Sequence, residues 1–136
     1  MRKNLMIALA GAGLLVAAAP AWAHHAFAAE FDANQPIKLR GRVTKVEFIN
    51  PHSWIHMDVK NEDGTVTNWA IEGGSPNSLF RNGFTKKSLP PGTVIIVEGY
   101  QAKDGANRGV GAKLTYMDGK SLFLKPQGEG DGPAVK

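Results

Sequence analysis

The four histidines of this 136-residue chain fall in two places. His24 and His25 are neighbours, and His52 and His56 lie four residues apart in Asn50-Pro-His-Ser-Trp-Ile-His-Met-Asp58. Imidazole nitrogen suits zinc and copper, and copper(II) is the tighter binder of the two. His24 gains a second donor if it becomes N-terminal, because its free α-amine and ring Nδ1 then chelate one ion together. The residues before it predict that outcome. Arg2 and Lys3 make a basic start, Leu5 to Ala19 an apolar run, and Ala21-Trp22-Ala23 an A-x-A cleavage site, which is the pattern of a secretory leader spanning residues 1–23. Ala19 and Ala21 satisfy the same rule. A cut after Ala21 leaves His24 third, where the amine, two deprotonated amides and the ring also bind copper(II). The apolar run is short and rich in Ala and Gly for a membrane span. The mature chain is therefore expected to be periplasmic or secreted, with no span.

His52 and His56 are separated by roughly 13 Å if both lie on one extended strand at about 3.3 Å per residue. That is too far to share an ion unless His52 bends inward. The better three-donor set is the His24 amine and ring with one of His25, His52 or His56, to which Asp58 or Glu72 would add an oxygen. The plainer reading is that His52 caps a turn and His56 lines the rim of the core beside Trp54. The other chemistry-bearing residues are weaker. Glu47, Asp58 and Glu72 are carboxylates on strands with no sign that two converge, so paired acid–base work has no support. Ser53 and Ser75 lack the surroundings of a nucleophile. Gly73-Gly74-Ser75-Pro76 would offer amides to an anion at a helix start, but it reads more simply as a tight strand-to-helix turn.

Composition narrows the classes. Of 16 Lys and Arg, Arg2 and Lys3 leave with the leader, so 14 remain against 12 acidic residues. A mixed surface of that kind lacks the concentrated basic footprint that nucleic acid requires. Lys38, Arg40 and Arg42 alternate on one strand and, like Lys86-Lys87, read as solvated faces that discourage edge pairing. With no cysteine, the chain has neither disulfides nor thiolate chemistry.

The elements that must position these residues are mostly strands. Residues 24–36 show no clear period and read as an N-terminal arm. Ile37, Leu39, Gly41 and Val43 alternate with basic residues, and the apolar series then jumps to Val46 and Phe48, a slip near Thr44-Lys45 that marks a β-bulge. Ser53–Lys60 is a second strand with Trp54, His56 and Asp58 on one face. Asp63-Gly64 signals a hairpin into Val66–Glu72. Ser75 as cap, Pro76 at the first position, Leu79 and Phe80 as apolar face and Gly83 after the last turn predict a helix over about 75–82. Strands follow at 93–100 and 110–117, with a short segment 121–124 placed to pair with the last. The order β-β-β-α-β-β with a long bulged first strand predicts an OB-fold-like five-stranded Greek-key barrel over residues 37–125, with a disordered tail at 126–136.

The run Val43-Thr-Lys-Val-Glu-Phe-Ile-Asn-Pro-His-Ser-Trp-Ile-His-Met-Asp-Val59, with His24-His25-Ala-Phe, Asn68-Trp-Ala-Ile-Glu72, Gly74-Ser-Pro-Asn77 and Pro91-Gly92, resembles a family of short exported bacterial proteins catalogued as a domain of unknown function. The resemblance implies a small β-rich extracytoplasmic protein and no particular activity. The residues themselves favour a non-catalytic binding module for a small ligand or a protein. Its expected ligand face is Asn50, His52, Trp54, His56, Asp58 and Trp69; Trp54 and Trp69, on adjacent strands, could stack a ligand, although such aromatics are more often packing. Copper bound through His24, His25, His52 or His56 is the alternative. An enzyme has the least support, because no second set of committed residues accompanies the histidines.

Overall fold

In the computed structural model, which describes residues 29–124, the alternating segments form six strands and one short helix. The strands are β1 (Phe31–Glu47), β2 (Trp54–Lys60), β3 (Val66–Glu72), β4 (Val94–Ala102), β5 (Arg108–Tyr116) and β6 (Ser121–Phe123), and helix α1 (Pro76–Arg81) lies between β3 and β4. Neighbouring strands run β3-β2-β1-β4-β5-β6, and a further parallel pairing of β3 with β5 closes the ring. This is the OB-fold connection order, with β6 added as an antiparallel partner of β5. The expected leader over residues 1–23, the histidines at 24 and 25 and the expected tail at 126–136 lie outside the described residues.

The phase slip in β1 is a bulge. Val43 pairs with Met57 but Lys45 pairs with His56, so Thr44 is the extra residue. Before it, Gly41 and Val43 are buried; after it, Lys45 and Glu47 share the outer face and Val46 turns inward. The strand also begins earlier than the expected Ile37. Phe31 already pairs with Ala102, with an irregularity before Pro36 resumes opposite Tyr100, so residues 31–36 belong to the sheet rather than to a loose arm. The alternation rule missed them because Asp32 to Gln35 have no apolar alternate to show.

The interior is built from the inward residues of all five ring strands, among them Val43, Ile55, Met57, Trp69, Ile71, Ile95, Val97 and Leu114. Helix α1 and the following loop add Leu79, Phe84 and Leu89 to the same core. Ser75 caps α1 by accepting the Ser78 N–H, and Pro76 occupies the first turn where no amide is needed. Gly83, at φ +93°, supplies the left-handed residue that ends it. Phe80 departs from the expected apolar face. It is partly exposed and rests on Phe48, their rings 5.2 Å apart and tilted.

A smaller cluster of Phe31, Tyr100, Ala102 and Val110 is separate from the main core. The Arg108 guanidinium lies 5.9 Å from the Phe31 ring centroid and 3.9 Å from Glu30.

One ion-pair group gives a measurable acid dependence. Glu98 on β4 holds Lys113 at 3.0 Å and Lys38 at 3.6 Å. The Lys113 hydrogen bond outweighs partial burial and holds the Glu98 carboxyl below the usual range. A lowered folded-state pKa stabilises the fold above the unfolded glutamate value, about 4.3, and that contribution is lost as pH falls through the folded value. In Lys113→Ala, the Glu98 midpoint should rise toward the ordinary range, and the stability lost on acidification should shrink. Carbon-13 NMR of the carboxyl checks this; an unmoved midpoint would remove Lys113 as the cause.

Candidate functional site

The OB ligand face is the outer surface of β1, β2 and β3, and register decides what stands on it. Trp54 pairs with Glu47 on β1 and with Glu72 on β3, so the three form one row across the sheet. His56 lies in the next row between Lys45 and Ala70, and Asp58 follows between Arg42 and Asn68. All of these side chains share Trp54's face, because directly opposed residues in antiparallel strands point the same way. The sheet therefore sets a carboxylate on each side of the Trp54 ring, with Cα atoms about 5 Å away on either flank.

Each carboxylate holds a histidine. Glu47 Oε2 is 2.8 Å from His56 Nε2, and its other oxygen accepts from Lys45 Nζ at 3.0 Å. The Lys45 hydrogen bond first, and the His56 bond second, keep the Glu47 carboxyl below its ordinary range. On the opposite flank, His52 Nδ1 lies 2.8 Å from Glu72 Oε1. That pair is uneven: the Glu72 side chain is 8% exposed and His52 is 52% exposed. A buried carboxylate carries a large desolvation cost unless hydrogen-bonded, so the exposed ring is anchored from below by an acid that needs a donor. His52 and His56 thus lean to opposite sides of β2, one toward β3 and the other toward β1. Among the described residues no three His, Asp or Glu side chains form a group that could hold a metal ion.

Two expected members behave differently. Trp69 is not on this face. It pairs with Met57, is buried with it in the interior, and leaves Trp54 without a stacking partner on β3. The β3 pattern already carried the signal, since Trp69 and Ile71 alternate with Asn68 and Ala70. Asp58 is occupied by Asn68 Nδ2 at 3.0 Å, away from either histidine pair. Asn50 stands exposed in the β1–β2 connection, with His52 following it.

Sequence reasoning passed over Glu47 and Glu72 as the histidines' partners. Finding Glu47 requires placing the bulge at Thr44, which turns Glu47 to the outer face beside Trp54. Finding Glu72 requires the β2–β3 register, which sets it opposite Trp54.

The remaining candidates are structural. Ser53 is 1% exposed; its amide donates to Gly74 O, and its carbonyl accepts from Gly73 N. Gly74 N in turn donates to Leu124 O. The amides of Gly73-Gly74 are therefore spent on the strand-to-helix turn and not offered to an anion. No helix among the described residues is long and apolar enough to cross a membrane.

A family model described as a family of unknown function, DUF6152, matches residues 11–112. The match takes in His24 and His25, the whole β1–β2 motif, and β3 through most of β5. No curated protein matches the chain. With three quarters of its length covered by that one model, the chain belongs to the DUF6152 family.

Proposed function

We propose that this protein is an exported, non-catalytic binding module whose ligand lies on the β1–β2–β3 face around Trp54. The observation that carries the reading is the half-buried Trp54 ring held between two histidine–carboxylate pairs, each at 2.8 Å. Side chains fixed by mutual hydrogen bonds are preorganised, so a ligand meets them without an ordering cost. Export rests on the basic start, apolar run and Ala21-Trp22-Ala23 of the leader.

The test is a nitrogen-15 correlation spectrum of the mature protein, recorded with and without a low-molecular-weight extract of the producing cell's periplasm. Shifts should concentrate on the Trp54 indole N–H and on residues 47–58 and 70–72. Trp54→Ala should remove them while leaving the rest of the spectrum in place. Shifts confined to another surface would overturn the assignment of the face.

A further inference from the structure

The groups on the Trp54 face narrow the ligand it takes, and the inference rests on the binding-module reading above. Three rows of outward residues cross the strands: Glu47, Trp54 and Glu72; then Lys45, His56 and Ala70; then Arg42, Asp58 and Asn68. The second row ends on β3 in a methyl group. The surface therefore steps down at Ala70, between Asn68 and Glu72 along β3 and beside His56 on β2. Trp54 is half-buried, so part of its ring stands open next to that step.

Every charged side chain in these rows already has a partner. Lys45 Nζ lies 3.0 Å from Glu47 Oε1, and the other Glu47 oxygen holds His56. Arg42 Nη1 donates to Gly92 O at 3.0 Å, Asp58 accepts from Asn68, and Glu72, 8% exposed, holds His52. An anionic ligand needs cations turned toward it, and a nucleic-acid strand stacked on an aromatic needs a positive groove along its backbone. Two engaged cations among three carboxylates provide neither. A cation is drawn to an indole face, but here it finds no carboxylate beside the ring: Glu72 is covered and both Glu47 oxygens are taken. Asp58 stands two rows from Trp54.

The groups left toward solvent suit a hydroxyl. His52 spends Nδ1 on Glu72, which leaves Nε2 on the far side of a ring that is 52% exposed. Asn68 gives one amide hydrogen to Asp58 and retains its carbonyl oxygen and second hydrogen for a ligand. A hydroxyl both donates and accepts, so it satisfies each of these in any tautomer. A sugar carries such hydroxyls around a ring whose C–H bonds form an apolar patch, and that patch stacks on an indole. One aromatic surface with a few fixed polar groups is the usual make-up of a small-ligand site.

We propose that the β1–β2–β3 face binds a neutral saccharide. One pyranose ring lies on Trp54 with a hydroxyl on His52 Nε2, and the neighbouring unit sits over the Ala70 step with hydroxyls on Asn68. Glu72 and Glu47 are positioning residues that hold His52 and His56.

The test records the nitrogen-15 spectrum of the protein with three neutral probes, cellohexaose, maltohexaose and N-acetylchitohexaose. Three charged probes, hexagalacturonate, hexathymidylate and choline, run beside them. At least one neutral saccharide should shift the Trp54 indole N–H, the Asn68 side-chain amide and the His52 ring, and the charged probes should not. Trp54→Ala should weaken that binding by at least about tenfold, as loss of a central anchor does, and Trp54→Phe should restore part of it. Glu72→Gln should remove the His52 shift and keep the Trp54 shift, with an unchanged circular dichroism spectrum. The periplasmic extract is also divided on anion- and cation-exchange resins. The activity should stay in the neutral fraction, and hydrolysis of that fraction should release monosaccharides.

Shifts on the face from a charged probe or an ion-retained fraction, with none from the neutral ones, overturn the saccharide and keep the binding module. So does an active neutral fraction that yields no monosaccharide. Saccharide binding that is unchanged in Trp54→Ala overturns the site. No shift on the face from any probe or fraction removes the saccharide and the module together.

Discussion

Gly99→Ala should destabilise the barrel by about 3 kcal/mol or more, the upper part of the range for overpacking, and lower its melting temperature by roughly 12–24 °C. A Cβ added there would overlap Val110 O and sit 2.9 Å from Val110 C and 3.0 Å from Gly111 Cα. These are backbone atoms of β5, and no flexible side-chain end is available to swing aside. Gly99 faces Gly111, and the neighbouring Tyr100 faces Val110, at a point where the β4–β5 register already shifts. Relief would require prising β4 away from β5, which gives up ladder hydrogen bonds in the middle of the ring. Thermal unfolding followed by circular dichroism measures the loss. A melting temperature within a few degrees of wild type would show that the two strands yield at this point at little cost.

Trp69→Ala should cost about 3–5 kcal/mol, the range for emptying a large aromatic site in a core. Trp69 is 8% exposed and pairs with Met57, which is fully buried. Its removal opens a void that the surrounding strands cannot fill without changing register. Trp54→Ala should cost much less, because Trp54 stands on the outer face and leaves no enclosed space. Urea unfolding distinguishes the two: the midpoint should fall steeply for Trp69→Ala and slightly for Trp54→Ala, with the slope unchanged in both. Equal losses would contradict the division of the tryptophans between interior and face. The contrast also keeps Trp54→Ala usable as a folded control for ligand binding.

The division between what could be read and what could not follows from what strand alternation contains. Period-two patterning assigns faces within one strand, so the Trp54-His56-Asp58 row, the bulge at Thr44, the hairpin at Gly64 and the capped helix at Ser75 were all legible. It contains no information on which residues of two strands lie opposite each other. The pairing of Glu47 and Glu72 across Trp54, and with it both histidine partners, emerges only from register. Trp69, placed among the ligand-face candidates, takes the commoner role of such a ring and packs in the interior with Met57, as the phase of its own strand indicates. The early start of β1 is hidden because residues 32–35 carry no large apolar side chain and Phe31 serves the smaller cluster.

The parallel seam between Ala70–Glu72 and Arg108–Val110 has a temporal consequence. The β1–β2 and β2–β3 pairings join strands close in sequence, whereas the seam joins β3 to β5 across the helix and the whole of β4. Contacts that far apart must first meet the entropy of closing the intervening chain, so they form late and are early to reopen. Glu72 is a residue of that seam. The β2–β3 hairpin alone sets Glu72 opposite Trp54, and the seam adds its β5 neighbour, Val110, last. The face around His52 is therefore laid out before the barrel is closed.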